Sequence, residues 1–348
     1  MKENGKISNK YTAARNWVHS ALLLLPPGGA LPGLREMIKL TGIGRTILEK
    51  VLQEAEKNNY LERRSRSGYY RSSKQNSSNA NLAILLDNSN GQLNLVGAYP
   101  QKASYVSRIA MHLQELSQIN DMRVFITEDV NSLVSDIPLF IVGATSENLW
   151  VQAQKRSLRT VAVSGRTRCG LRVIPQRELN VRCGLDYLYK LGHRRIGMLF
   201  NSQSDPQHPE DDQNGYLFEY YKFMAEHGVK VYPHFLIRYP GENEIVGQLK
   251  LALHHAIRPD ALLVPAVWLE TVYRVLAEEK LLLPWNISVL GIGTPAGKSD
   301  LKPTPAMVFD DPARVAEQAW ELMFSEVESA YIKQEPQVYP GGSVIRRS

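Results

Sequence analysis

The chain of 348 residues has very little cysteine and no long apolar run. Its two cysteines, Cys169 and Cys183, are too few for a disulfide framework at this length, which indicates a reducing compartment. No stretch approaches the roughly 18 apolar residues that a membrane span needs. The apolar run 21–25 is also too short for the core of a signal peptide. We therefore expect a cytoplasmic protein with no membrane partner.

Positive charge is concentrated in the first quarter of the chain. Residues 1–80 contain 14 Lys and Arg against 6 Asp and Glu, whereas residues 81–348 contain 27 against 29. A basic segment on a near-neutral body favours a polyanionic partner, although a solvated basic tail has the same charge balance. The polar stretch 72–80 contains no large apolar residue and is predicted to link the two parts.

The basic segment carries the pattern of a helix, a tight turn and a second helix. Apolar residues recur with helical spacing in about 33–40 and again in 45–58, and Gly42 separates the two runs. Glycine accepts the left-handed backbone that such a turn uses, and Gly44 can cap the second helix. A second helix placed in this way can lie in the major groove of DNA. Arg45 would then pair with a guanine edge, and Thr46 with a phosphate or a methyl group.

A short β-hairpin is predicted to follow over about residues 60–71, with glycine at the bend. Its side chains Arg63, Arg64 and Arg66 could neutralise phosphates or enter the minor groove. Any one of these arginines taken alone could equally be a solvated surface charge. The spacing, the turn and the hairpin agree with one another, however, which favours the DNA-binding interpretation of the whole set.

This segment resembles the winged-helix domain of GntR-type regulators. The matching motifs are Leu25-Pro26-Pro27-Gly28, Leu31-Pro32-x-x-Arg35-Glu36, Gly42-Ile43-x-Arg45-Thr46 and Leu61-Glu62-Arg63-Arg64-x-x-x-Gly68. The resemblance implies that Arg35, Arg45, Thr46 and the hairpin, or wing, around Gly68 contact DNA.

The segment also departs from that family at several positions. Gly33 and Gly44 replace serines that the family usually has, and Leu34 replaces an acid. Glu49 stands where many members have a second base-reading arginine, and it could accept a hydrogen bond from a cytosine amino group instead. We therefore expect an operator that differs from the family's common one.

After residue 80, short apolar runs alternate with amphipathic helical patterns, which predicts parallel sheets built from βαβ units. Residues 81–348 resemble the effector domain of LacI-type regulators, which is built like a periplasmic binding protein. The segments that carry this resemblance are Leu185–Gly197, Arg258–Leu262, Leu283–Gly291, Pro305–Leu322 and Val338–Arg346.

The predicted fold class is therefore a multi-domain chain. A mainly α winged helix-turn-helix with a β-hairpin wing spans 1–71, and a linker spans 72–80. A two-lobed α/β domain with parallel sheets spans 81–348. Its first lobe is predicted to comprise about 81–163 and 296–322, and its second about 164–295 and 323–348.

The LacI-type resemblance implies a homodimer on a near-palindromic DNA operator and a small-molecule effector in a cleft between the lobes. Ligands in open α/β sheets bind beyond the carboxyl ends of the strands. The effector candidates accordingly follow predicted strands, and they are Asp87, Asn88, Arg166, Asp212, Trp268 and Thr294. Trp268 could stack on a sugar face or simply pack in the core. Arg166 and Arg168 could pair with an anionic effector or lie in a solvated loop.

Three polar anchors of sugar-binding family members are replaced in this sequence. Asp212 stands in place of an arginine, Pro265-Ala266 in place of an Asn-Asp pair, and Gly293-Thr294 in place of an aspartate. Either the effector, such as a sugar or sugar derivative, is atypical, or the domain is a dimer scaffold without a small ligand.

No cofactor, metal or catalytic site is predicted. The glycines from Gly291 to Gly297 lack a following helix N-terminus that would bind phosphate. The cluster 208–212 could hold a metal, but a solvated acidic loop has the same composition. The sequence therefore predicts a repressor rather than an enzyme. The alternative is an enzyme or a transport-type binding protein with a regulatory head. A secretion signal and a catalytic constellation would favour that alternative, and we identify neither in the sequence.

Overall fold

The computed structural model describes residues 2–26, 28–64, 68–72, 80–86, 105–133, 136–143, 147–156, 159–164, 170–175, 177–201, 214–239, 242–293 and 301–347. The chain divides into two compact units, Met1–Ile174 with Pro312–Lys333 and Pro175–Asp311 with Gln334–Ser348. We call residues 2–72 the head, the rest of the first unit the first lobe, and the second unit the second lobe. Within the described ranges no helix is both long enough and apolar enough to cross a bilayer.

The head consists of three helices and an antiparallel hairpin. Its elements are α1 Lys2–Leu23, α2 Leu34–Thr41, α3 Arg45–Lys57, β1 Leu61–Arg64 and β2 Gly68–Arg71. The predicted α2, α3 and hairpin are confirmed, and α1 precedes them. Buried apolar side chains of all three helices form one core, which includes Val18, Met37 and Leu52. The helical spacing of these residues explains why each helix presents one face to that core.

Helices and strands alternate through both lobes. The helices are α4 Tyr105–Ile119, α5 Glu147–Gln154, α6 Arg177–Lys190, α7 Asn214–Glu226, α8 Glu242–His254, α9 Leu269–Glu278 and α10 Pro312–Met323. The strands are β3 Leu82–Leu86, β4 Val124–Thr127, β5 Leu139–Val142, β6 Thr160–Val163, β7 Leu171–Pro175, β8 Ile196–Asn201, β9 Leu236–Tyr239, β10 Ala261–Pro265, β11 Ser288–Ile292, β12 Ala306–Phe309, β13 Tyr331–Gln334 and β14 Gln337–Tyr339. Single turns of 3-10 helix span Val130–Ser132, Pro233–Phe235 and Ala266–Trp268.

Each lobe contains a six-stranded sheet. The order is β13-β7-β6-β5-β3-β4 in the first lobe and β14-β12-β11-β10-β8-β9 in the second. In the first sheet, the neighbours β4, β3, β5, β6 and β7 pair in parallel in that order. In the second, the neighbours β9, β8, β10, β11 and β12 also pair in parallel, and β14 is antiparallel to β12. Strands β3, β5 and β6 are buried along their whole length, because helices cover parallel sheets on both faces. The two-lobed α/β architecture with parallel sheets is thus confirmed.

The chain crosses between the lobes at other positions than the sequence predicted. Strand β7 pairs with β6, so the first lobe extends to residue 174 rather than 163. The sequence predicted that the first lobe resumes near residue 296. Strand β12 pairs with β11, however, so residues 301–311 belong to the second lobe and the crossing lies between Asp311 and Pro312. The final crossing follows Lys333 rather than residue 322. Strand pairing between distant segments decides these boundaries, and apolar runs alone do not reveal it.

The end of α1 and the two residues after it join the head to the first lobe. Leu22 and Leu25 lie in the core of the head, whereas Leu23 and Leu24 lie in the core of the first lobe. Further along the same interface, Gln114 of α4 contacts the ring Nδ1 of His19 at 3.5 Å. The head therefore packs on the first lobe instead of hanging only on the linker, most of which lies outside the described residues.

Candidate nucleic-acid interface

The turn between α2 and α3 is built by Gly42. Its φ is +67°, and its N–H donates to the carbonyl of Ile38 at 2.9 Å, which ends α2. The Thr41 hydroxyl donates to the Met37 carbonyl at 2.8 Å and accepts from the Ile43 N–H at 3.1 Å. The predicted left-handed turn is confirmed, and it fixes the direction in which α3 leaves α2.

The first turn of α3 projects the predicted base-reading side chains into solvent. Gly44, Arg45 and Thr46 are all exposed, and the Gly44 carbonyl accepts the first hydrogen bonds of the helix. The Arg45 Nε donates to Glu49 Oε1 at 2.8 Å, with side chains 72% and 36% exposed. An exposed pair of this spacing contributes only about 0.3–0.5 kcal/mol, so Arg45 can exchange Glu49 for another acceptor at little cost.

The structure therefore brings together two residues that the sequence treated as separate base readers. In this structure the Glu49 carboxylate accepts a hydrogen bond from the Arg45 guanidinium. Arg35, on the neighbouring α2, is exposed as well.

The hairpin holds its arginines over aromatic rings. The Arg64 guanidinium lies 4.3 Å from the centroid of Tyr70, and its Nε donates to Glu62 Oε1 at 3.1 Å. The Arg63 guanidinium lies 5.9 Å from the centroid of Tyr69. These contacts restrict the side chains while leaving the charges exposed. The bend itself, including predicted Arg66, lies outside the described residues.

Gly68 opens the returning strand with a φ of +109°. A side chain at this position would strain the backbone, so the glycine that the sequence placed at the bend has a structural reason.

A third segment completes the hairpin, and sequence reasoning missed it. Residues 28–31 pair with β2: the Leu31 N–H donates to the Tyr69 carbonyl at 2.9 Å, and the Arg71 N–H donates to the Gly29 carbonyl at 2.8 Å. Arg71 is only 7% exposed, and its Nη1 donates to the carbonyl oxygens of Leu23 and Leu25 at the end of α1. Burial lowers the pKa of this guanidinium below its usual value. Arg71 thus ties the hairpin to the helix that joins the head to the first lobe.

Of the predicted effector residues, the structure describes only Trp268. It closes the 3-10 turn Ala266–Trp268 after β10 and packs against the core around Leu269 and Val272. Packing is one of the two roles that the sequence left open for Trp268, and ligand stacking stays a prediction. Asp87, Asn88, Arg166, Asp212 and Thr294 lie outside the described residues.

The Gly192–Arg195 part of the LacI-type signature has a structural role in the second lobe. His193 is fully buried, with Nδ1 3.1 Å from Asp260 Oδ1 and Nε2 2.9 Å from the Ile345 carbonyl oxygen. Burial acts to raise the pKa of Asp260, but hydrogen bonds from His193 and from the backbone N–H groups of Arg194 and Arg195 outweigh it and hold that pKa below its ordinary value. The signature thus fastens the α6–β8 turn to β10 and to the C-terminal segment.

The part of the chain that the structure describes contains no group of three or more His, Cys, Asp or Glu side chains arranged to hold a metal ion. The predicted acidic cluster 208–212 lies outside it.

Comparison with known proteins agrees with this architecture. Residues 185–348 match the sequence profile of the family described as a periplasmic binding protein-like domain. No curated protein sequence matches the chain at a significant level.

Solved structures of transcription regulators share the fold of the lobes. A LacI-family regulator protein from Rhizobium etli is 15% identical, with a TM-score of 0.59 over 76% of this chain and 98% of that one. A transcription regulator from Lactobacillus plantarum is 13% identical, with a TM-score of 0.56 over 76% of this chain and 100% of that one. A LacI-family regulator from Lactobacillus casei with bound sucrose is 15% identical, with a TM-score of 0.52 over 76% and 99%. Two lobes with the fold of these regulators therefore follow the head.

Proposed function

We propose that this chain is a sequence-specific DNA-binding transcription regulator, acting as a repressor, and that its head is a winged helix of the GntR type. The observation that carries the proposal is the start of α3, where Arg45 and Thr46 are both exposed directly after a left-handed turn. In helix-turn-helix proteins, the residues at this end of the second helix reach base edges in the major groove. Here α3 is the recognition helix, and Gly44 and Glu49 lie on the same approach to the DNA.

The wing supplies the contacts that do not depend on base sequence. Arg63 and Arg64 are exposed on β1, and Arg35 adds a further charge on α2. Arg66, which follows β1 in the sequence, is proposed to act with them. Guanidinium groups at such positions bind phosphates and position the protein on the duplex. The excess of basic residues in 1–80 supports this role for the head.

The two lobes are the sensor and the dimerisation domain in this proposal. A small molecule, such as a sugar or sugar derivative, sets operator affinity by binding one conformation of the sensor more tightly than the other. Trp268 and the residues Asp87, Asn88, Arg166, Asp212 and Thr294 are the proposed effector contacts. A homodimer would match a near-palindromic operator, because a two-fold axis relates both. No catalytic step is part of this function.

Selection of duplexes from a random pool tests the recognition helix. The full chain should enrich a near-palindromic site, and Arg45→Ala should lose enrichment at one base pair of each half-site. Lys155→Ala, at an exposed lysine in the first lobe, is the matched control and should enrich the same site as the unaltered chain. Identical selected sites for Arg45→Ala and the control would refute the assignment of α3.

A ligand-independent regulator with a scaffold domain is the second candidate. It is favoured by the end of β10, where Pro265 and Ala266 place no polar side chain beyond the strand. Thermal unfolding with a panel of sugars and sugar derivatives separates the two candidates, because a ligand that binds only the folded state raises the melting temperature. An effector should also change operator affinity, and a panel without any such ligand would favour the scaffold.

A further inference from the structure

A cavity of about 350 Å³ lies between the head and the first lobe, and nothing in the proposed function uses it. We call it the junction pocket. Arg15 and His19 of α1, residues 57–60 after α3, Ala80, and residues 118 and 121–125 around the start of β4 line it. Its volume falls in the range of sites for small organic ligands, which is about 300–1,000 Å³. It lies wholly within the first compact unit.

The pocket carries an excess of positive charge. Its fixed charges are the cations Arg15, Lys57 and Arg123 and the carboxylate of Asp121. His19 adds no charge at neutral pH, because burial, together with the charge of Arg15, lowers its pKa to about 4. A cavity with three cations and one carboxylate favours an anionic occupant.

Two of these cations, Arg15 and Arg123, line the pocket together with Tyr60. The charges of Arg15 and Arg123 both act on the Tyr60 hydroxyl and oppose the upward shift of its pKa that burial causes. Arg15 belongs to α1 of the head and Arg123 directly precedes β4 of the first lobe, so the pocket receives a guanidinium group from each of the two parts. A fork of guanidinium N–H groups matches the oxygens of a phosphate or a carboxylate.

Arg15 is the side chain with unused hydrogen-bonding capacity. Its Nε is buried and has no hydrogen-bond partner among the described residues. Glu54 of α3 accepts a hydrogen bond from the Tyr11 hydroxyl and does not line the pocket. A buried guanidinium N–H without a partner costs about 1–3 kcal/mol, and a bound oxyanion would remove that cost.

We propose that the junction pocket binds a small organic anion through a phosphate or carboxylate group held by Arg15, Lys57 and Arg123. Because Arg15 and Lys57 belong to the head and Arg123 to the first lobe, the bound anion bridges the two and stabilises the head in this position. Resting on the proposed function, the anion is then a second effector: its binding and DNA binding must change each other's affinity by the same factor.

Calorimetric titration of the full chain tests the site with four probes: inorganic phosphate, glucose 6-phosphate, citrate and, as the uncharged control, glucose. At least one anionic probe should bind with a dissociation constant below about 1 mM. Any binding of glucose should be unaffected by the charge-reversal variants of the pocket described below. Preference for glucose 6-phosphate over citrate assigns a phosphate ligand, and the reverse assigns a carboxylate. Absence of binding by all three anions up to about 10 mM overturns the proposal.

Charge-reversal variants test whether the anion binds in the junction pocket. Lys57→Glu and Arg123→Glu alter exposed side chains, so they should fold, and each should weaken anion binding at least about tenfold through the loss of a charge-assisted bond. Lys155→Glu reverses an exposed charge in the same lobe away from the pocket and should bind as the unaltered chain does. Equal affinity in all three variants would show that the anion binds elsewhere and would overturn the assignment.

Duplex binding measured on the same samples separates this inference from the proposed function. Adding the anion should change the affinity of the chain for the operator by a certain factor. Adding the operator should change the affinity of the chain for the anion by the same factor. If the chain binds duplex and no anion, the junction pocket fails while the proposed function stands. If it binds the anion and no duplex, the proposed function fails while the pocket stands.

Discussion

Arg71→Met tests the bond that fastens the hairpin to α1. Methionine keeps most of the buried volume and removes the guanidinium whose Nη1 donates to the carbonyls of Leu23 and Leu25. A hydrogen bond from a charged group contributes about 1.5–3 kcal/mol, and the abandoned Leu25 carbonyl adds a desolvation cost. The contact with Leu23 is 3.4 Å long and adds little. The head should therefore lose about 2–3 kcal/mol of stability.

Hydrogen exchange measured by mass spectrometry resolves this loss locally. Amides of the buried residues Leu48, Val51 and Leu52 of α3 should exchange roughly 30- to 140-fold faster in Arg71→Met if they exchange through opening of the head. Amides of the second lobe should be unchanged. Arg35→Met removes an exposed arginine of the same domain and is the control, with exchange close to that of the unaltered chain. Equal protection of α3 in both variants would refute the anchoring role of Arg71.

Three further predictions concern stability. Gly42→Ala should destabilise the head by about 1–2 kcal/mol, because the φ of Gly42 is +67°, in the left-handed region. Gly33→Ala is the control: its φ is −60° and the space around it is open, so it should cost only about a few tenths of a kcal/mol in the same denaturant unfolding experiment. Asp260→Asn should cost about 2–3 kcal/mol by weakening the bond to His193. Because the folded pKa of Asp260 is lowered, its contribution is complete above the unfolded pKa of about 3.9 and is lost as pH falls through the folded pKa, so the melting temperature of the variant should depend less on acid pH. His19 has a folded pKa of about 4, so the unaltered chain should lose up to about 3 kcal/mol as pH falls from about 6.5 to 4, and His19→Gln should remove that dependence; equal pH profiles would contradict it.

Local pattern was enough to predict the elements of the head that lie close together in sequence. The spacing of apolar residues such as Leu48 and Leu52 predicts α3, and Gly42 predicts the turn, because helical periodicity and left-handed backbone leave direct marks in the sequence. The parallel sheets were likewise predicted from their short apolar strands.

Contacts between distant residues were not predictable in this way. Arg71 bonds to a carbonyl 46 positions earlier, and nothing in its neighbours marks it as buried. Strand β7 alternates buried and half-buried residues, so it lacks the continuous apolar run that marks β5 and β6. The junction pocket combines Arg15, Lys57 and Arg123, which only the packing of the head on the first lobe brings together.

The most direct test of the account is the affinity of the full chain for its selected duplex, measured by fluorescence anisotropy over a range of salt concentrations. The logarithm of the association constant should fall linearly with the logarithm of salt concentration, since the arginines of the head replace counterions on the phosphates. Arg45→Ala should bind that duplex about 10- to 100-fold more weakly while its affinity for random duplex changes much less. Absence of duplex binding by the full chain in dilute buffer, or equal affinity of Arg45→Ala for the selected site, would contradict the claim that α3 reads DNA.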